Sequence, residues 1–269
     1  MKKSLWVAWA ALAAFALVLS ACGGQPAQAP AEGGTAGADA TDLGGREIIW
    51  GVDNAYPPFS YLDDEGNGIG FDYDLAAEVC ERANCKPIFK EFSWEGVFEA
   101  AQAGEFDINM GGCTVTMERA KIIDYSDPIY EYGQIVLTRA DDTEITSEEA
   151  LLASDAKIGT QAGTSNEITA ISRFGEDRVV LFETFEMPVV ALLSGDVDAV
   201  VIDEVAAVGF MGENPGQMKI AVKLTGGELL ALFMPPGSDL QPAVDQALNE
   251  MWADGTMQAL TDKWFASAQ

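Results

Sequence analysis

From Glu47 onward the chain runs a cycle of strand and helix and then, past Arg139, runs it again, and few folds accept that alternation. Glu47 to Val52 reads as a first strand. Tyr56-Pro-Pro-Phe59 stops it, because proline removes a backbone donor and restricts the residue before it. From Tyr73 to Ala83 the apolar residues Leu75, Ala76, Val79, Cys80 and Ala83 recur at helical spacing, and a strand is expected near Pro87 to Phe92. Trp94 to Ala103 reads as a helix with Val97, Phe98 and Ala101 inward, and Phe106 to Gly111 as a third strand. In the second cycle the strands are expected at Ala156 to Gly159, Arg178 to Leu181 and Ala199 to Ile202. The helices are expected at Thr164 to Phe174, Met187 to Leu193 and Glu204 to Met211. A strand at Leu229 to Met234 and helices at Asp239 to Trp252 and Thr256 to Phe265 complete the chain. The pattern predicts two α/β units with largely parallel sheets.

Ligands of open α/β sheets are held at the carboxyl ends of strands, where loops and helix N-termini converge. The polar clusters fall at such ends: Asp53 to Tyr56, Gly111 to Thr116, Gln161 to Asn166, and Asp203. Contributions from both units predict a site between two lobes. Composition narrows what that site does. Acidic residues number 43 against 15 basic ones, for a net charge of −28, which repels nucleic acid at every approach. Histidine is absent, which removes Ser-His-Asp triads, Cys-His dyads and His-ligated zinc; no metal site and no cofactor are expected.

The N-terminus predicts export. Lys2 and Lys3 precede an apolar run from Leu5 to Leu19 that is shorter than a bilayer crossing needs, so residues 1–21 read as a signal peptide. Leu19-Ser20-Ala21-Cys22 resembles the lipobox of bacterial lipoproteins, which implies a lipid on Cys22. Residues 22–45 hold one large apolar side chain and read as a flexible tether. The rest is expected to be a soluble monomer held outside the membrane by lipid alone.

The body resembles the family 3 extracellular solute-binding proteins, the amino-acid receptors of ABC importers. The residues that carry the resemblance are Gly51-Val-Asp-Asn-Ala-Tyr-Pro-Pro-Phe59, Gly70-Phe-Asp-Tyr-Asp-Leu75, Gly104-Glu-Phe-Asp107, Thr114 to Ala120, Asp124 to Tyr130, Gln161-Ala-Gly-Thr-Ser165, Gly195 to Ala199 with Asp203, and Ala253-Asp-Gly255 leading to Lys263-Trp-Phe265. The resemblance implies a two-lobe periplasmic-binding-protein clamshell with a discontinuous first lobe, residues 46–133 plus 230–269, and a second lobe of residues 134–229. Crossover strands near Gln134 to Thr138 and near Val222 to Leu232 would form the hinge. It also implies a free L-amino acid as ligand and permease subunits of an ABC transporter as partners.

Carried onto this sequence, the family's carboxylate-binding arginine is Arg119, whose planar fork suits two parallel charge-assisted bonds. Its ammonium-binding aspartate is Asp203, which by spacing alone is also a helix N-cap. Gly112, Thr114, Gln161, Thr164 and Ser165 would add backbone and hydroxyl contacts, with Thr164 and Ser165 readable equally as helix caps. Gly111 and Gly112 stand where several relatives carry serines, which gives up hydroxyl donors and lets the backbone come close. Tyr56 and Trp94 would face the ligand side chain, and Asp53 its distal nitrogen. The charge balance then favours arginine, lysine or histidine, with glutamine or another neutral polar amino acid next. Cys80 and Cys85 lie where some members carry a disulfide, and Cys113 is expected to be a small buried hydrophobe. A prephenate or arogenate dehydratase resembles the same fold and is the enzymatic alternative. The sensing ectodomain of a receptor or channel is the other.

Overall fold

Residue 41 to residue 265 are the described residues of a computed structural model of this chain. The expected signal peptide, the lipidated Cys22 and the tether as far as residue 40 lie outside them. Residues expected at the end of the tether are tied to the body. The Leu43 N–H donates to Ala83 O at 2.8 Å and the Gly45 N–H to Asn84 O at 2.7 Å, and Leu43 packs on the core. The one large apolar side chain in that stretch is what docks it.

The strands of the first cycle are β1 (Arg46–Val52), the short β2 (Ala55–Tyr56), β3 (Ser60–Leu62) and β4 (Gly68–Ile69), β5 (Cys85–Glu91), β6 (Ile108–Thr114) and β7 (Asp124–Tyr132). The helices α1 (Phe71–Arg82) and α2 (Val97–Ala103) lie between them. The second cycle comprises β8 (Gln134–Arg139), α3 (Glu148–Ala153), β9 (Ile158–Gln161), α4 (Ser165–Phe174), β10 (Val179–Phe182), α5 (Met187–Ser194), β11 (Ala199–Asp203), α6 (Glu204–Glu213) and β12 (Met218–Lys223). After it come β13 (Glu228–Met234), α7 (Gln241–Asp254) and α8 (Thr256–Phe265).

Two five-stranded sheets result, in the orders β5-β1-β6-β13-β7 and β10-β9-β11-β8-β12, beside a small antiparallel meander of β2, β3 and β4. β1 is parallel to β5 and β6, and β9 to β10 and β11, as βαβ crossovers require. The sheets are less parallel than the sequence suggests, because β13 runs antiparallel to β6 and β7, and β8 to β11 and β12. β7 and β12 were not visible in the periodicity. Both pair with a strand that arrives from the other cycle or leaves for it, so their partners are remote in sequence.

The chain passes between the sheets twice, at Gly133 and between Lys223 and Glu228, and the two passages touch. Leu224 N–H donates to Gln134 O at 2.8 Å, Gln134 N–H donates to Thr225 Oγ1 at 2.8 Å, and a Cβ on Gly133 would collide with Thr225 O. Glu228 and Leu229 pair with Tyr132 and Glu131 in the first sheet. The fold is a two-lobe α/β clamshell in which the C-terminal segment rejoins the first sheet. Phe265 seals that return against Phe59, Phe71 and Tyr130, with ring centroids 5.1, 5.2 and 4.9 Å away. Phe59, Phe71 and Phe265 are buried, and burying each stabilises the fold by about 1.5–3 kcal/mol. The expected disulfide joins Cys80 at the end of α1 to Cys85 at the start of β5.

Candidate functional site

Strand ends and helix starts from both sheets converge on one cavity, with about 440 Å³ of space that is partly open to solvent. Ten of the residues expected at a ligand line it: Asp53, Tyr56, Trp94, Gly112, Thr114, Arg119, Gln161, Thr164, Ser165 and Asp203. Gly111 lies in β6. Met110, Asn166 and Phe185 also line it and were not expected. Asn166 follows Ser165 within a motif already singled out. Met110 and Phe185 carry no polar atom that would have marked them, and ordinary core patterning explains both equally well.

Arg119 opens a single 3-10 turn, Arg119–Lys121. Its guanidinium donates to Thr114 O at 3.1 Å and to Gly163 O at 3.2 Å, joining the first-sheet side to the second. The rings of Trp94 and Phe98 flank it with centroids 5.2 and 5.0 Å from Cζ, a cation–π setting worth about 0.5–1 kcal/mol per ring at a partly exposed site. Trp94 Nε1 donates to the same Gly163 carbonyl at 3.2 Å. Trp94 precedes α2 instead of starting it, which turns the indole toward the other sheet. Arg119 has no carboxylate partner among the described residues, although the chain is rich in acids.

Asp203 ends β11 and stands at the N-cap of α6, yet its side chain makes no capping bond. It lines the cavity. Oδ2 accepts from the Tyr56 hydroxyl at 2.6 Å and Oδ1 from Asn166 Nδ2 at 3.0 Å. Burial pushes the Asp203 carboxyl up to about 6, against the lowering effect of those two donors, and Glu228 adds to the rise. Burial pushes the Tyr56 phenol well above its ordinary range, so it remains a neutral donor. Asp53, half-buried after β1, is likewise pushed up to about 6, by burial first and by Glu91 in addition; its Oδ1 accepts from Ala55 N–H at 3.2 Å.

The remaining lining residues are held by their own bonds. Thr164 caps α4: its hydroxyl accepts from Glu167 N–H at 3.3 Å and donates to Gln161 O at 2.7 Å. Gln161 Nε2 donates to Glu183 O at 3.0 Å. Ser165 Oγ lies 3.0 Å from Thr114 Oγ1, which also meets the Tyr132 hydroxyl at 2.8 Å. Gly112 has a φ of +58°, and a Cβ there would meet Leu230 at 3.0 Å and Tyr56 at 3.2 Å, which explains glycine where a serine would not fit. Cys113 is buried as expected, and burial raises its thiol pKa above the ordinary range. Among the described residues no cluster of acidic or cysteine side chains could hold a metal, and no helix is long and apolar enough to cross a membrane.

A cavity between two α/β lobes, lined by one cation and two carboxylates, is the arrangement of a solute-binding protein. Residues 48–267 match the profile of the bacterial extracellular solute-binding proteins, family 3, and the chain belongs to that family. It is 34% identical over 220 residues to a probable histidine-binding protein of Neisseria gonorrhoeae, covering 81% of this chain and 77% of the relative. A solved ancestral arginine-binding protein bound to glutamine superposes with a TM-score of 0.76 at 33% identity, covering 81% of this chain and 97% of its own. An ancestral amino-acid-binding protein, described as a precursor of cyclohexadienyl dehydratase, superposes with a TM-score of 0.73 at 35% identity, covering 81% and 95%.

Proposed function

We propose that this chain captures a free L-amino acid outside the membrane, a basic one ahead of a neutral polar one, and hands it to the permease of an ABC importer without chemical change. The observation that carries the ligand class is the charge of the cavity lining: Arg119 against Asp53 and Asp203. An α-carboxylate on Arg119 and an α-ammonium on Asp203 leave Asp53 over, and a cationic side chain neutralises it. Glutamine is the second reading, because its amide can donate to Asp53 and because the ancestral arginine-binding relative is described with glutamine bound. An acidic ligand would bring another anion toward Asp53 with no second cation to meet it.

Closing on the ligand would use contacts already bridging the sheets: Tyr56 with Asp203, Thr114 with Ser165, and Gly163 with Trp94 and Arg119. The passages at Gly133 and between Lys223 and Glu228 would serve as the hinge. The lipobox-like segment supports attachment through Cys22, and the excess negative charge supports a monomer. Titration calorimetry of the purified protein against the twenty amino acids tests the ligand class. Arginine, lysine or histidine should bind tightest, and a preference for glutamate or aspartate overturns the reading.

A further inference from the structure

Asn166 is a cavity residue with a buried side-chain atom that lacks a hydrogen-bond partner. It lies in the first turn of α4, lines the cavity and is 2% exposed. Its Nδ2 donates to Asp203 Oδ1, while its own Oδ1 is buried with no hydrogen-bond partner. Buried polar atoms in native proteins are almost always paired, so an orphaned one calls for a donor that arrives. Turning the amide over does not help, because the oxygen would then face the Asp203 carboxylate. The hydroxyl protons of Tyr56 and Thr164 are given to Asp203 and to Gln161 O.

We propose that Asn166 is a ligand-binding residue whose Oδ1 accepts a hydrogen bond from the ligand's α-ammonium while Asp203 pairs with its charge. The inference rests on the amino-acid reading and adds to it. Asp203 supplies charge but has an oxygen already held by Tyr56 and the other by Asn166. A primary ammonium carries three donors in tetrahedral array, so one carboxylate cannot satisfy it. Asn166 offers a neutral acceptor beside that carboxylate and holds the carboxylate in place. The pair would therefore select for a ligand that presents a primary ammonium, and against an otherwise identical acid that lacks one.

The test is a cycle of two proteins and two ligands, read by calorimetry. Wild type and Asn166→Leu, which keeps the shape and removes both the acceptor and the Nδ2 bond to Asp203, are each titrated with the best-binding amino acid and with its des-amino analogue. Asn166→Leu should weaken the amino acid at least tenfold, about 1.4 kcal/mol, and the analogue less than twofold. Equal weakening of both ligands, or no weakening of either, overturns the inference while leaving the amino-acid reading intact. A wild-type protein that binds no amino acid overturns both. A crystal structure of the wild-type complex decides the matter without a variant: the ammonium nitrogen should lie within hydrogen-bond distance of Asn166 Oδ1, about 2.7–3.2 Å, and a nitrogen beyond that range overturns the inference.

Discussion

The two walls of the cavity are made of different material. The first-sheet wall presents the large side chains of Tyr56, Trp94, Met110 and Arg119 beside Asp53, Gly112 and Thr114. The second-sheet wall presents mostly short polar groups, Gln161, Thr164, Ser165, Asn166 and Asp203, gathered around the first turns of α4 and α6. Most polar atoms of the second wall already have partners, several within their own wall. The difference teaches a division of labour. Aromatic faces and a guanidinium on one side meet a frame of short hydrogen-bonded side chains on the other. Substitutions on the first wall should change which ligand binds and how tightly. Those on the second should affect every α-amino acid alike.

The largest effect is expected at the one residue that breaks this rule. Arg119→Ala should weaken every amino acid more than a hundredfold although it lies on the first wall, since a buried ligand carboxylate would lose its partner. Calorimetry that finds near wild-type affinity would take the carboxylate away from Arg119. Asp203→Ala should do the same from the frame side, with equal losses for arginine and glutamine.

Acidification should act on both walls together. Asp53 and Asp203 are each held up to about 6, above the ordinary value of 3.8, so the empty protein carries a penalty for ionising them. That penalty is absent below pH 4 and grows as pH rises through 6, so the empty fold loses this contribution toward neutral pH. A cationic ligand needs both groups ionised. Lowering the pH from 7 to 5 should therefore weaken arginine about tenfold for each carboxylate, with proton release on binding at pH 5. Equal affinity at the two pH values, with no proton release, would remove both carboxylates from the ligand.

Smaller effects sharpen the comparison. Asp53→Asn should weaken arginine about tenfold and glutamine severalfold less, and an equal loss would make Asp53 part of the common frame. Gly112→Ala should cost about 1–2 kcal/mol of stability, because φ is +58° and Tyr56 and Leu230 stand in the way. Denaturant unfolding would measure it, and an unchanged midpoint would mean that the strand relaxes freely. Replacing Cys80 and Cys85 with serine should lower stability by about 2 kcal/mol and leave affinity within twofold, since the bridge lies in α1 and β5, away from the cavity.

What the sequence determined by itself was local. The interval from Thr256 to Phe265 is the helix that its periodicity predicts, and Ala199 to Ile202 is a strand that runs one residue further, to Asp203. Such elements follow from spacings of two and of three or four residues, which any short window contains. The polar clusters at strand ends were legible for the same reason, and family motifs added roles for Arg119 and Asp203. Tertiary structure alone decided which partners those residues keep. Tyr56 meets Asp203 across 147 residues and Arg119 meets Gly163 across 44, so no window holds both ends. The antiparallel entry of β13 between β6 and β7, the docking of Leu43 and the orphaned oxygen of Asn166 belong to the same class. Each depends on where two remote segments come to rest, and that is settled by closing the whole chain around its core and not by the preference of any one residue.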